Sequence, residues 1–143
     1  MEGTIELLAG EKPFDALDTL AVRHGDEWII NGTKTFITNG GLAGFYCTLC
    51  QTDAAAQPAY RGISMILVEA DRPGLTTADV GEKMGIHMMA TAEVNYKDVR
   101  VPAANLIGKE GRGFYQVLEF FDESRILVAA QALGIAPGAF DRA

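Results

Sequence analysis

The chain has 143 residues, of which 48% are hydrophobic and 22% charged, so it is long enough to form one domain with a real core. Its formal net charge of −7 argues against nucleic acids and anionic membranes as partners, because no basic stripe offsets the acidic total. The longest apolar run is too short for membrane insertion, and no signal peptide is recognised.

The first half of the chain has the pattern of short strands separated by turns. Residues 1–17 lack clear periodicity, but "TLAVRHGDEWIINGTKTFIT" (19–38) predicts three strands joined by turns at Gly25-Asp26 and Asn31-Gly32. A second Asn-Gly pair, Asn39-Gly40, marks another turn, because Asn-Gly supplies the positive φ angles of a type I′ turn. Four further runs follow: "GFYCTLCQT", "GISMILVEA", "LTTADV" and "TAEVNYKDVRVP". Short strands at this spacing predict a barrel or a sandwich.

The sequence changes character after Pro102. A glycine-rich stretch leads into a run that predicts a long helix from Phe114 to Ala136, which Pro137 and Gly138 interrupt. The apolar side chains of this helix occupy too wide an arc for a surface helix. We therefore expect the helix to pack in a helical bundle that this chain does not contain, or in a subunit interface.

The six residues "TKTFIT" (33–38) are the first candidate binding element. Strand alternation places Thr33, Thr35 and Ile37 on one face, and it places Lys34, Phe36 and Thr38 on the other. Phe36 and Thr38 then pair an aromatic ring with a hydroxyl, which suits a flat heteroaromatic ligand with a hydrogen-bonding atom at its edge. The alternative is structural, since threonine is a good strand former.

The cysteines and histidines give little evidence for catalysis. Cys47 and Cys50 form a lone CxxC without a second Cys/His pair nearby, so they are interpreted as strand residues rather than as a zinc or redox site. Two cysteines without a signal peptide favour a reducing, intracellular setting. His24 lies in a polar turn, and His87 lies between methionines without a carboxylate or serine partner, which favours surface or core roles.

Two further stretches have both a structural and a functional interpretation. The loop "GKEGRGF" (108–114) could hold a phosphate at the N-terminus of the helix, but it lacks the Walker and GxGxxG patterns, so a tight turn is favoured. Asp122 and Arg125 stand three residues apart on the predicted helix. This spacing gives an intrahelical ion pair or an arginine held ready for an anionic ligand, and spacing alone favours the ion pair.

Three stretches together resemble the acyl-CoA dehydrogenase family, in order and at similar separations. They are "INGTKTFITNGG", "EKMGIHMMATAEVNYKDVRVPAANLIGKEGRGF" and "ESRILVAAQALGIAPGAFDRA", and the resemblance covers about Ala16 to Ala143. It implies a mainly β fold, with an antiparallel β-barrel middle domain at 16–110. Residues 111–143 would be the first helix of a truncated C-terminal helical domain. Residues 1–15 form a divergent segment, because the family's "TEP" and "GSD" signatures are missing there.

The resemblance also implies a cofactor and site residues. FAD would lie between the middle domain and the C-terminal helices, with Phe36 against the flavin, Thr38 donating to flavin N5 and Ile37 giving backbone contacts. Asp122 and Arg125 match positions near the pantetheine and acyl end of the CoA substrate. The catalytic glutamate of most members would lie beyond residue 143. Since Ser124 stands where a minority of members carry the base, we expect no catalytic base here.

The implied parent enzyme oxidises acyl-CoA thioesters to trans-2-enoyl-CoA, with hydride transfer to FAD N5. It would be a homotetramer that passes electrons to an electron-transfer flavoprotein, in the bacterial cytoplasm or the mitochondrial matrix. The isolated chain is expected to be inactive and to associate through its helix. Two alternatives stay open: a stand-alone, flavin-free β-barrel that serves as a binding or assembly module, and a relative similar to the acyl-CoA oxidases.

Overall fold

The computed structural model describes residues 17–143, so the predictions for residues 1–15 lie outside the described part of the chain. In that part, the three strands predicted for 19–38 form two strands, each of the four later β-like runs forms one strand, and one long helix follows. The elements are β1 (Leu20–His24), β2 (Glu27–Thr38), β3 (Phe45–Gln51), β4 (Ile63–Glu69), β5 (Leu75–Asp79), β6 (Thr91–Pro102) and α1 (Gly113–Phe140).

The six strands form one mixed sheet in the order β4-β3-β1-β2-β6-β5. The sheet is antiparallel except where β1 and β3 run parallel, at the pair Leu20 and Gln51. Among the described residues, β4 and β5 are the outer strands of an open sheet. The prediction of a mainly β fold with one C-terminal helix is therefore confirmed, whereas a closed antiparallel barrel is not.

The two predicted turns of the β1–β2 region have opposite outcomes. Gly25-Asp26 forms the predicted turn, with His24 paired to Glu27 and Gly25 at φ 63°. The predicted turn at Asn31-Gly32 is wrong, because β2 continues through both residues to Thr38. The Asn31 side chain instead holds an irregularity in β6: its Nδ2 donates to Asp98 Oδ1 at 3.1 Å, and its Oδ1 accepts from the Asp98 amide at 2.9 Å.

The core lies on one face of the sheet, and its buried members come from every strand except the outer strand β5, which adds the partly buried Leu75. Its buried members are Ala21, Trp28, Ile30, Ile37, Tyr46, Cys50, Ile66, Val68, Val94, Tyr96, Val99 and Val101. One hydroxyl pair crosses it, since Thr48 Oγ1 and Tyr96 Oη are 3.0 Å apart. Burial raises the pKa of the Tyr96 phenol, so this pair stays neutral and hydrogen-bonded at physiological pH.

The sheet region ends at Gly113, and Phe114–Ala143 forms a second compact unit. The helix reaches Phe140, so the predicted interruption at Pro137 is wrong: this proline lies inside the last turns, where it removes one amide donor without ending the helix. Six large apolar side chains after Arg125 are exposed: Ile126, Leu127, Val128, Leu133, Ile135 and Phe140. Within residues 17–143, no helix combines the length and apolar character needed to cross a membrane.

Candidate functional site

A β-bulge interrupts β2 at the predicted binding element. Lys34 pairs with Val94 and Ile37 pairs with Ala92, so two residues of β2, Thr35 and Phe36, stand opposite a single residue of β6. Phe36 has φ 57°, a left-handed conformation that costs a bulky L-residue about 1–2 kcal/mol. Bulges and strained residues of this kind are over-represented at binding and catalytic sites, where they re-aim a side chain.

The bulge changes which side chains of β2 are buried. Lys34 is buried with Ile37, whereas the side chain of Phe36 is 65% exposed and that of Thr38 is half-buried. The prediction that Lys34 shares a face with Phe36 is therefore wrong, because the extra residue shifts the alternation by one position. Phe36 and Thr38 flank the buried Ile37 in the sequence. That their side chains share one face of the sheet remains a prediction.

A compact turn follows Thr38 and is tied to the sheet from both sides. Asn39 adopts φ 58°, and its carbonyl accepts hydrogen bonds from the amides of Leu42 and Ala43 at 2.8 Å each. The Tyr46 hydroxyl, which is buried in β3, donates to the Gly40 carbonyl. The second Asn-Gly pair thus forms a turn as predicted, but β2 and β3 do not pair as a hairpin.

The segment before β6 closes the other side of the turn. Thr38 pairs with Thr91, and the Asn39 amide donates to the Ala90 carbonyl at 2.9 Å. The Lys83 ammonium donates to Thr91 Oγ1 at 2.9 Å and to the Met89 carbonyl. An open cavity of about 390 Å³ lies beside this segment, lined by Gly81, Glu82, Lys83 and His87. Sequence reasoning missed Tyr46 and Lys83, since neither belongs to a local motif.

The sequence matches the family model described as "Acyl-CoA dehydrogenase, middle domain" over residues 9–99. The chain belongs to the acyl-CoA dehydrogenase family. It is 47% identical over 125 residues to the cyclohexane-1-carbonyl-CoA dehydrogenase of Syntrophus aciditrophicus, which covers 87% of this chain and 32% of that protein. The chain spans about a third of the length of the curated relatives it matches. Membership of this family implies a flavin cofactor.

Solved structures of the family agree with the described fold. Butyryl-CoA dehydrogenase from Megasphaera elsdenii has a TM-score of 0.85 and 41% identity, covering 96% of this chain and 35% of that one. A structure named for the electron transferring flavoprotein of Acidaminococcus fermentans has a TM-score of 0.84 and 45% identity, again covering 96% and 35%. These likenesses show that the chain shares its fold with a part of these solved structures.

The second pair of predicted site residues lies on α1. Arg125 Nη2 contacts Asp122 Oδ1 at 3.0 Å, and Arg125 Nε donates to the Phe121 carbonyl at 2.9 Å. Both charged side chains are mostly exposed. The structure therefore forms the intrahelical ion pair that the spacing predicts, while their role in substrate binding remains a prediction.

The two thiols, Cys47 and Cys50, lack the features of a reactive pair. Cys47 is half-buried and Cys50 is fully buried in β3, and both are free thiols. Burial raises the pKa of Cys50 to about 12, against the opposing charge of Lys34, so its nucleophilic thiolate is scarce at neutral pH. Among the described residues, no three His, Cys, Asp or Glu side chains are grouped as metal ligands would be.

The glycine-rich loop before α1 is held by the sheet. The Gly111 amide donates to Ser64 Oγ at 2.9 Å, and a Cβ at Gly111 would lie 2.6 Å from the Arg61 carbonyl oxygen. This amide is thus already used within the protein, and a side chain at Gly111 would collide with the backbone. The contacts support the structural interpretation of the loop as a tight turn that leads into the helix.

Proposed function

We propose that this chain is part of a flavin-dependent acyl-CoA dehydrogenase that oxidises acyl-CoA thioesters to trans-2-enoyl-CoA, and that it supplies the sheet facing FAD. One observation carries the proposal: the bulge in β2 exposes the aromatic ring of Phe36 two residues from the Thr38 hydroxyl, at the cost of a left-handed backbone. A solvent-exposed, strained phenylalanine is hard to explain as a packing residue.

The residues present fit a flavin. The exposed ring of Phe36 offers a face for the flat isoalloxazine ring, since offset aromatic stacking stabilises such pairs by about 0.5–1.5 kcal/mol. Thr38 would donate its hydroxyl to N5, and Ile37 would contribute through its backbone while its side chain stays in the core. FAD, when bound, supplies the acceptor for the hydride that leaves Cβ of the acyl chain.

Asp122 and Arg125 are proposed to contact the CoA thioester. Their ion pair is exposed, and exposed pairs contribute only about 0–1 kcal/mol to stability, so a ligand can replace it at little cost. A guanidinium held by its neighbour Phe121 through Nε keeps its other donors in a defined direction. We assign no catalytic base to this chain, so the carboxylate that removes the α-proton would come from elsewhere in the parent enzyme.

The parent is proposed to be a homotetramer that passes electrons to an electron-transfer flavoprotein. Two observations support further partners for this chain: the relatives are about three times as long, and the exposed apolar residues of α1 need a covering surface. The structure named for the electron transferring flavoprotein of Acidaminococcus fermentans is consistent with this electron acceptor.

The decisive experiment uses Thr38→Val in the natural polypeptide that carries this sequence. Anaerobic mixing with an acyl-CoA, followed by flavin absorbance near 450 nm, should show reduction slowed about tenfold, because a lost hydrogen bond is worth roughly 1–1.5 kcal/mol. Thr33→Val is the matched control, since Thr33 is an exposed threonine of the same strand that donates to Asn95 Oδ1 at 2.7 Å. Equal rates in both variants would remove the proposed role of Thr38.

The absorbance of the same polypeptide also tests the alternative of a flavin-free binding module. A bound flavin gives a band near 450 nm that stays with the protein through gel filtration. Phe36→Ala should weaken flavin retention, because it removes the exposed aromatic face. Natural polypeptide that never takes up FAD would refute the proposed function and favour the module.

A further inference from the structure

The segment between β5 and β6, residues 80–90, makes few hydrogen bonds of its own. Among the described contacts, the Val80 amide donates to the Thr91 carbonyl, and the Gly81 amide donates to Asp79 Oδ1. The Met89 amide donates to the Ile86 carbonyl. Its middle is exposed, and the side chains of Met84 and Met88 extend fully into solvent. A segment with this little internal support needs another contact to fix its end.

Lys83 supplies that contact. It is half-buried between exposed neighbours, and its ammonium donates both to the Met89 carbonyl and to Thr91 Oγ1 at 2.9 Å. Both acceptors lie at the far end of the segment, so the side chain spans the loop it belongs to. Hydrogen bonds from a charged donor are roughly twice as strong as neutral ones.

One of the two residues that Lys83 holds, Thr91, also holds the end of β2. Thr91 is buried and pairs with Thr38, and the neighbouring Ala90 carbonyl accepts from the Asn39 amide at 2.9 Å. The chain of contacts therefore runs from the Lys83 ammonium through Thr91 to the backbone of Thr38.

We infer that Lys83 is a positioning residue: its hydrogen bonds to Met89 and Thr91, here called the clamp, hold Thr38 in place, and the Thr38 hydroxyl would then donate to flavin N5. The inference rests on the proposed function for its flavin half, whereas the clamp itself can be tested without flavin. Lys83 does not touch the reacting atoms, and it acts through Thr91.

The first experiment measures amide hydrogen exchange in this chain without cofactor. Lys83→Met keeps the length of the side chain and removes its donors, so the Asn39 amide should exchange about tenfold faster. The Gln51 amide, which donates to the Thr19 carbonyl at 2.9 Å, should keep its rate. Lys97→Met, which alters an exposed lysine on β6, should change neither rate. Unchanged exchange of Asn39 in Lys83→Met would overturn the clamp.

The second experiment measures the flavin midpoint potential in the natural polypeptide. Lys83→Met should shift the potential in the same direction as Thr38→Val, Lys83→Arg should restore most of it, and Lys97→Met should leave it unchanged. A shift in Thr38→Val without one in Lys83→Met would overturn the positioning role alone. If Thr38→Val itself left the potential unchanged, the N5 contact of the proposed function would fail, while the exchange result would still decide the clamp.

Discussion

Replacement of Phe36 by glycine distinguishes a binding role from a packing role, because the two roles predict different changes in the free energy of unfolding. Glycine adopts φ 57° freely, so the variant regains about 1–2 kcal/mol of backbone strain. It loses about 0.5–1 kcal/mol through the greater entropy of the unfolded chain. The ring is 65% exposed, so only roughly a third of a phenylalanine's 1.5–3 kcal/mol of burial is lost, about 0.5–1 kcal/mol. The net change in unfolding free energy is therefore within about 1 kcal/mol of zero.

Urea unfolding of the 143-residue chain tests this value, with Trp28 as the probe. It is the single tryptophan and is fully buried, so its fluorescence reports the sheet core. The control is Ile37→Ala, one residue along the same strand, which should lose about 2–5 kcal/mol because Ile37 is buried. A loss above about 2 kcal/mol in Phe36→Gly would show that the ring packs against the protein and would refute the reasoning.

Three further predictions concern the surroundings of the site. Tyr46→Phe removes the donor to the Gly40 carbonyl and should lower the unfolding free energy by about 1–2 kcal/mol, measured by urea unfolding; an unchanged midpoint would contradict that hydrogen bond. Arg72 donates to both oxygens of Glu69 and holds the pKa of that carboxyl at about 2 instead of 4.5. The stability that this pair contributes is complete above pH 4.5 and is lost as the pH falls through 2. Because the pair is about one-third exposed, we expect it to contribute about 1 kcal/mol or less to the free energy of unfolding. Glu69→Gln should flatten the pH profile of the melting temperature. Cys50 should resist iodoacetamide at pH 8 in the folded chain and react after unfolding, as mass spectrometry would show, whereas fast native labelling would contradict its burial.

The strands could be predicted from the sequence because their signals are local. Apolar patterns bounded by glycine, proline and aspartate marked the strands to within a few residues, except that β2 was predicted as two strands. The order of the strands could not be predicted in this way. β3 follows β2 along the chain but pairs with β4 and with the distant β1, and such pairing depends on which apolar faces meet in three dimensions. No turn residue carries that information.

Asn31-Gly32 shows why a strong local signal can mislead. Each residue has a structural role other than a turn. Asn31 Oδ1 accepts a hydrogen bond from the Asp98 amide, and a Cβ at Gly32 would lie 2.6 Å from Thr19 Cα. Gly32 also has φ 142°, which glycine adopts at no steric cost. The same Asn-Gly pair is typical of a hairpin turn, but here each residue is required by a contact with a distant part of the chain. The resemblance to a known family leads us to propose a site at Phe36 and Thr38, whereas neither it nor alternation predicted the bulge that exposes Phe36.

The two irregularities of the β2–β6 ladder compensate each other. As a result, different features of the ladder position the two proposed flavin contacts, Phe36 and Thr38. The first puts an extra residue on β6, at Lys97 and Asp98, and the second puts one on β2, at Thr35 and Phe36. After both, Thr38 and Thr91 return to the register that the strands had at Trp28 and Val101. The backbone of Thr38 is therefore held by its ladder pairing with Thr91, the residue that Lys83 bonds, whereas Phe36 depends on the bulge. Changes that repair the bulge should move the ring without moving the hydroxyl, because the two positions share a strand but not a constraint.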